Sequence, residues 1–282
     1  MGKISLQSHC KINVGLKIGD ARPDGYHDVN TVYQELLFHD VITLKKSRTK
    51  NIFSCDVNNL NNNKNLCVKA WNLISKKFGL NGVSINLKKS IPVGAGLGGG
   101  SSNAAATLKG VNSLFQLALS NKDLETLATK IGADVPFFIN GGTQIGKGIG
   151  NILSKESPFI ESFVLLIMPK IHIDTSWAYS HIKNVLDVRE RDINFSDLIG
   201  KKRIPFEMFK NDFEEIVFPA YPEIGRIKNL LLESGARYSS LSGSGSTVFG
   251  FFDDEAKAVL AESKFSPEYH SLVTCPKNRI AK

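Results

Sequence analysis

The segment Ile91-Pro92-Val93-Gly94-Ala95-Gly96-Leu97-Gly98-Gly99-Gly100-Ser101-Ser102-Asn103-Ala104-Ala105-Ala106 constrains this chain more than any other. Five glycines fall within seven residues, followed by two serines, an asparagine and a run of alanines. Glycine admits positive φ and lets the backbone approach a ligand without a Cβ in the way. Ser101 to Asn103 are helix-capping types, and Ala104, Leu108, Val111 and Phe115 recur behind them at helical spacing. A glycine loop feeding a helix N-terminus aims several free N–H groups, and the positive end of the helix dipole, at one point. Phosphate is the usual occupant of such a point.

Three phosphate-binding patterns compete with a plain structural turn. The P-loop requires a Lys directly after its glycines, and none stands here. The dinucleotide pattern is matched formally by Gly94-x-Gly96-x-x-Gly99. It requires a tight strand-to-helix turn and an acidic residue ending a second strand about twenty residues on. Instead, Pro92 and further residues separate strand from loop, and a second helical pattern follows the first. The third pattern is a broad loop around a nucleoside triphosphate, with Ser101 and Ser102 at its end.

Around this loop the chain reads as α+β. Cys10, Ile12, Val14, Leu16 and Ile18 alternate as one face of a strand, which puts Lys11 and Asn13 on the other, a solvated face on its simplest reading. Arg22-Pro23-Asp24-Gly25 has turn chemistry and delivers Tyr26-His27 to a loop exit. Strands are expected at Val29–Phe38, Val41–Leu44, Ile52–Val57 and Val83–Leu87, and a helix from Leu66 to Phe78 stopping at Gly79. Ser120-x-x-Asp123 is a capping box for a helix through Ile131, ended by Gly132, with Asp134 directly after. Gly141 to Gly150 suggests a hairpin. Beyond residue 155 the pattern changes. Phe163–Met168 reads as a strand covered on both faces, helices are expected near 175–186, 206–217, 222–234 and 254–264, and strands at Tyr238–Leu241, Thr247–Phe252 and Leu272–Cys275. Two domains, 1–155 and 156–282, accommodate this order.

Composition narrows the function classes. The formal charge of +8 would suit an anionic ligand, yet the basic residues are dispersed and form no stripe interleaved with aromatics, so nucleic-acid binding is not expected. No apolar run is long enough to cross a bilayer, and the N-terminal residues lack a signal core, which points to a cytoplasmic protein without a membrane role. Cys10, Cys55, Cys67 and Cys275 show no metal-binding spacing and read as buried thiols.

With these motifs assembled, the chain resembles the GHMP kinase superfamily. Pro92 to Ala105 is similar to its second signature and Leu241-Ser242-Gly243-Ser244-Gly245 to its third. Lys11-Ile12-Asn13, Arg22-Pro23-Asp24-Gly25-Tyr26-His27 and Gly132-Ala133-Asp134-Val135-Pro136-Phe137-Phe138 resemble the branch that acts on a cytidine-diphosphate-linked sugar alcohol. The resemblance implies a two-domain fold, a ribosomal-protein-S5-domain-2-like N-terminal domain with a ferredoxin-like C-terminal one. It implies ATP-dependent phosphorylation of the 2-hydroxyl of a methylerythritol moiety, a step in the non-mevalonate route to isoprenoid precursors. It also implies Asp134 as catalytic base with Lys11 as its partner. Pro92, Val93, Gly94, Ala95, Gly96, Leu97, Gly98, Gly99, Gly100, Ser101 and Ser102 would wrap the ATP phosphates, with Asn65 and Lys89 near adenine. Tyr26 and His27 would hold the cytosine, Tyr179 would stack on it, and Asn13 and Thr175 would line the substrate. Mg2+ is expected to arrive with ATP, since no dedicated carboxylate is named. Lys147 stands where the family commonly has Glu. The alternatives are a homoserine or mevalonate type of GHMP kinase, or a non-catalytic nucleotide sensor or nucleic-acid-binding protein on the same fold.

The chemistry stands beside the resemblance. Phosphoryl transfer needs alignment, charge neutralisation and deprotonation of the attacking hydroxyl. A carboxylate can take that proton, and a neighbouring ammonium keeps a carboxylate ionised.

Overall fold

The structure is a computed structural model that describes residues 2–47, 50–157, 160–182, 194–199, 201 and 204–278. The chain forms two compact units, neither continuous in sequence: residues 1–10, 38–93 and 98–141 make the first, and 11–37, 94–97 and 142–282 the second. Two long strands, β1 (Lys3–Ala21) and β2 (His27–Lys46), contribute residues to both.

In the first unit the later half of β2 pairs antiparallel with β4 (Val83–Lys88), Val41 opposite Lys88, and β4 pairs parallel with β3 (Ile52–Cys55). Helix α1 (Leu66–Phe78) begins and ends as its sequence dictates. The Asn65 side chain accepts from Cys67 N at 3.0 Å, and Gly79 closes the helix in the left-handed region at φ 59°. Its apolar stripe of Cys67, Ala70, Trp71 and Ile74 is buried. Burial also pushes the Cys67 thiol up to about 12, so this sulfur is a neutral packing group. Helix α2 (Gly99–Phe115) lies close against β1 and β2 because its buried face is small. Ala104, Ala105 and Ala106 line it, and a Cβ on Gly110 would meet Leu44 Cδ1 at 2.2 Å. Helix α3 (Asn121–Ala128) carries the complete Ser120–Asp123 capping box, and a short turn leads to α4 (Phe137–Asn140).

In the second unit the first half of β2 pairs with β5 (Thr143–Lys147), Thr31 opposite Gly146, and β5 forms the expected hairpin with β6 (Ile152–Glu156). A second antiparallel sheet has the order β10-β7-β9-β8, with β7 (Phe163–Met168), β8 (Tyr238–Leu241), β9 (Val248–Phe252) and β10 (His270–Thr274). The continuous apolar run of β7 has its explanation in two covered faces. Leu165, Ile167, Val248 and Phe252 pack with Ile224, Ile227 and Leu231 of α8 (Pro222–Glu233) and with Ala258 and Ala261 of α9 (Glu255–Glu262). On the other face Phe249 and Phe251 gather with Tyr238 and Phe206 at centroid distances of 5.3–5.9 Å.

Four expectations are corrected. The Lys11–Asn13 face of β1 is not solvated: every residue from Ser8 to Ile18 is buried, because the polar face meets polar partners described below. The strands expected at Val29–Phe38 and Val41–Leu44 are one strand, which continues through Asp40 because that side chain turns inward and is fully bonded. The helix expected at 206–217 divides into a short 3-10 turn at Phe206–Met208 and helix α7 (Glu214–Ala220). Between them the backbone pairs with β1 instead: Leu16 N donates to Lys210 O and Asp212 N to Leu16 O, while Asp212 also accepts from Ile18 N and pairs with Lys17 at 3.0 Å. Those bonds outweigh a helical pattern. Finally, Ser101 to Asn103 do not cap α2. The N-cap is Gly98. The helix expected at 175–186 is seen over Thr175–Ile182, here α5, and its remainder lies outside the described residues; the short helix α6 (Phe195–Ile199) follows it in the chain.

Candidate active site

The glycine loop joins β4 to α2. Gly94, Gly96 and Gly98 have φ of 69°, 76° and 67°, a left-handed conformation that other residues adopt only under strain. Gly96 has no room for a side chain: a Cβ there would stand 2.0 Å from Ser242 O and 3.0 Å from Gly245 O. The loop is therefore pressed backbone to backbone on the segment 242–245, and Thr247 N donates to Ala95 O at 3.3 Å. No side chain caps α2, so the donors of its first turn face outward unclaimed by a cap. Ser101 lies within that turn, and Ser102 N bonds back to Gly98 O at 2.9 Å. A glycine loop with left-handed backbone at alternate residues, leading into the uncapped first turn of a helix of this length, fits a polyphosphate.

Lys11 stands beside this loop. Its backbone N donates to Leu97 O at 3.0 Å, and its Nζ donates to Gly96 O at 3.1 Å and to Asn13 Oδ1 at 2.5 Å. The ammonium also lies 5.6 Å from the centre of the Tyr33 ring. Ser242 completes the arrangement by donating to Gly96 O at 2.9 Å, and Asn211 fixes the 241–243 segment by donating to the carbonyls of Leu241 and Gly243 at 2.8 and 2.9 Å. Lys11 is only 4% exposed. A buried lysine that has retained three polar or π partners is positioned, not solvated.

In the first unit the residues expected near adenine are engaged in structure. Asn65 caps α1 and donates to Leu60 O at 3.1 Å. Lys89 pairs with Asp40, a residue the sequence reading missed. Asp40 is fully buried, and its carboxylate accepts from Ser90 N at 2.7 Å, Ile91 N at 2.8 Å, Asn103 Nδ2 at 2.8 Å and Lys89 Nζ. It thus ties the segment before the glycine loop to the helix after it. Asn103 donates further to Ser8 Oγ at 2.9 Å, and Ser8 to Ser102 Oγ at 2.8 Å. A lone carboxylate in the mostly apolar stretch 37–44 was the available signal.

Asp134 sits half-buried in the turn between α3 and α4, where Val135 N bonds back to Gly132 O at 3.2 Å. Lys109 holds α4 against α2 by donating to Phe138 O at 2.9 Å. In the second unit Tyr26 is 56% exposed, whereas His27 is buried and stacks on Tyr179 at 5.3 Å with 20° between the rings. Thr175, at the start of α5, shares a 3.1 Å hydrogen bond with Ser244, and Asp174 caps that helix through Trp177 N at 2.9 Å. The Ser176 hydroxyl and the Trp177 N–H hold the Asp174 carboxyl below its usual range. The structure therefore gathers Lys11, Asn13 and the loop 94–97 with the segment 242–245, and Thr175 with Ser244. Among the described residues, no group of three or more His, Cys, Asp or Glu is arranged to hold a metal ion, and no helix is long and apolar enough to cross a membrane.

The chain is similar to known proteins over nearly its whole length. Residues 65–142 match the GHMP kinases N terminal domain and residues 197–271 the GHMP kinases C terminal domain. The class defined by fold and loop is that of the GHMP small-molecule kinases, which use ATP. The 4-diphosphocytidyl-2-C-methyl-D-erythritol kinase of Prosthecochloris aestuarii is 39% identical over 97% of this chain and 98% of its own length. That of Acetivibrio thermocellus is 38% identical over 97% and 99%. A crystal structure of 4-(cytidine 5'-diphospho)-2C-methyl-D-erythritol kinase superposes with a TM-score of 0.82 at 26% identity, covering 98% of this chain and all of that one. Mevalonate kinase from Methanococcus jannaschii shares the fold alone, with a TM-score of 0.77 at 15% identity over 98% and 99% of the two chains. The chain belongs to the 4-diphosphocytidyl-2-C-methyl-D-erythritol kinase family.

Proposed function

We propose that this chain transfers the γ-phosphoryl group of ATP to the 2-hydroxyl of 4-diphosphocytidyl-2-C-methyl-D-erythritol, giving the 2-phosphate and ADP, in the cytoplasm. The observation that carries the chemistry is the buried Lys11 ammonium held against the carbonyl of Gly96 in the glycine loop. The choice of alcohol follows from family membership and from Tyr26-His27.

The backbone of Gly94 to Ser102, with Pro92 and Val93 before it, holds the phosphates, and the adenine end lies toward Asn65 and Lys89. When bound, ATP would supply the transferable phosphoryl group, and a magnesium ion arriving with it would neutralise phosphate charge. Asp134 accepts the proton of the 2-hydroxyl as its oxygen bonds to the γ-phosphorus and the bond to the β-γ bridging oxygen breaks. Lys11 supplies positive charge where negative charge accumulates, held there by Asn13 so that no rearrangement is needed during reaction. The exposed Tyr26 ring offers a flat surface to the cytosine, His27 and Tyr179, stacked on each other in the structure, hold its other side, and Thr175 and Asn13 line the substrate.

Two substitutions test these roles. Asp134→Ala is expected to lower kcat by about 10²–10⁴-fold while ATP still binds, measured by single-turnover assay and nucleotide titration. Substantial retained turnover would remove Asp134 as the base. Lys11→Ala is expected to reduce kcat more than it weakens ATP binding; an unchanged kcat would leave Lys11 a structural residue.

A further inference from the structure

Thr31 lies in the middle of β2, fully buried, and belongs to none of the signatures described above. Its hydroxyl has two neighbours, Gly15 O at 2.7 Å and Asn13 Nδ2 at 2.8 Å. A carbonyl can only accept, so the single hydroxyl proton of Thr31 points at Gly15. The same oxygen must then accept from Asn13, which fixes the NH2 of the Asn13 amide toward Thr31. The amide oxygen is left facing the opposite way, where Lys11 Nζ stands 2.5 Å from it. With the amide reversed, an NH2 donor would confront the ammonium and a carbonyl oxygen would face a hydroxyl whose proton is already committed.

We infer that Thr31 is a positioning residue for the phosphoryl transfer. It sets the orientation of the Asn13 amide and, through it, holds the Lys11 ammonium against Gly96 O. The inference rests on the reading of Lys11 as the cation of the reaction. Threonine suits the task better than other residues of its size. Its branched Cβ restricts χ1, so the hydroxyl stays on the Gly15–Asn13 line. Valine would keep the shape and leave the Gly15 carbonyl and one Asn13 donor without partners. The position is also stiff, since Thr31 pairs with Gly146 in the β2–β5 ladder.

The test is steady-state kinetics with both substrates on Thr31→Val and Thr31→Ser, each made in the parent enzyme and in Lys11→Met. In the parent, Thr31→Val is expected to lower kcat about ten- to a hundredfold, with the KM for ATP within about threefold, because a charge-assisted network is lost. Thr31→Ser, which restores the hydroxyl, is expected to recover most of that loss. In the Lys11→Met background Thr31→Val is expected to add nothing further. An unchanged kcat in Thr31→Val, an equal loss with and without Lys11, or a Thr31→Ser as impaired as Thr31→Val would each overturn the inference. Should Thr31→Val not fold, Thr31→Ala removes the same two bonds with less bulk and is judged by the same outcomes. If Lys11→Met itself leaves kcat unchanged, the reading of Lys11 fails, and a crystal structure of the Thr31 variant decides the positioning separately. Lys11 Nζ withdrawn from Asn13 Oδ1 and Gly96 O supports it; Lys11 unmoved contradicts it.

Discussion

Gly96 has no room for even one carbon beyond its backbone, since a Cβ would lie 2.0 Å from the carbonyl oxygen of Ser242. Its φ of 76° adds a second restriction. Gly96→Ala therefore carries both the strain of a left-handed alanine and the overpacking of a closed contact, together roughly 2–5 kcal/mol. Because Gly96 O also accepts from Lys11 and Ser242, the damage is expected to reach the site as well as stability. A urea titration should show a lowered midpoint and a nucleotide titration a weakened ATP affinity. Gly94→Ala is a useful control at the same φ sign, because a Cβ there would meet the His172 ring at 3.0 Å and no backbone carbonyl. At this scale the sequence was partly legible: glycine density announced close approach, but not what was approached. Ser242, Asp40 and Thr31 are single hydroxyls or carboxylates whose side-chain partners lie 16 or more positions away, Thr31 with Gly15 at 16 and Ser242 with Gly96 at 146. No local spacing encodes such a bond.

Elements were legible where their signals are local. The Asn65 cap and Gly79 stop of α1, the Ser120–Asp123 box of α3 and the β5–β6 hairpin all follow from residues within one or two turns of each other. The failures share a different cause. β1 alternates like a half-buried strand yet is buried on both faces, because Lys11, Asn13 and Lys17 find polar partners elsewhere in the second unit. The stretch from Phe206 to Val217 alternates like a helix yet bends to pair with Leu16. Tertiary bonding overrode periodicity in both. Asp40 is the clearest element-scale device, since its carboxylate joins β2, the approach to the glycine loop and α2. Asp40→Ala is expected to cost roughly 3–5 kcal/mol, because it leaves the Lys89 ammonium buried without its counter-charge. The double variant Asp40→Ala with Lys89→Met should be markedly more stable in urea than Asp40→Ala alone. Equal stability of the two would show that the Lys89–Asp40 charge pairing is not what the network protects.

For the whole molecule, the legible part was the ordered set of motifs. The glycine cluster alone supports only the superfamily, whereas the Pro-Asp-Gly-Tyr-His and Gly-Ala-Asp-Val-Pro stretches narrow it. Their order along 282 residues carries the specificity, and likeness to curated relatives over nearly the full length of both chains agrees. The net charge of +8 fits two polyanionic ligands, a nucleoside triphosphate and a cytidine diphosphate. What pattern could not supply was the polar interior that holds Lys11, because burial of a charge depends on partners that only folding assembles. The account is tested most directly by ADP release from purified protein and ATP, with 4-diphosphocytidyl-2-C-methyl-D-erythritol compared against homoserine and mevalonate. Stoichiometric ADP with the cytidylylated alcohol, phosphorylated at its 2-hydroxyl, and none above background with the other two, is the expected result. Turnover of homoserine or mevalonate at equal or greater kcat/KM, or no ADP with any of the three, would contradict it.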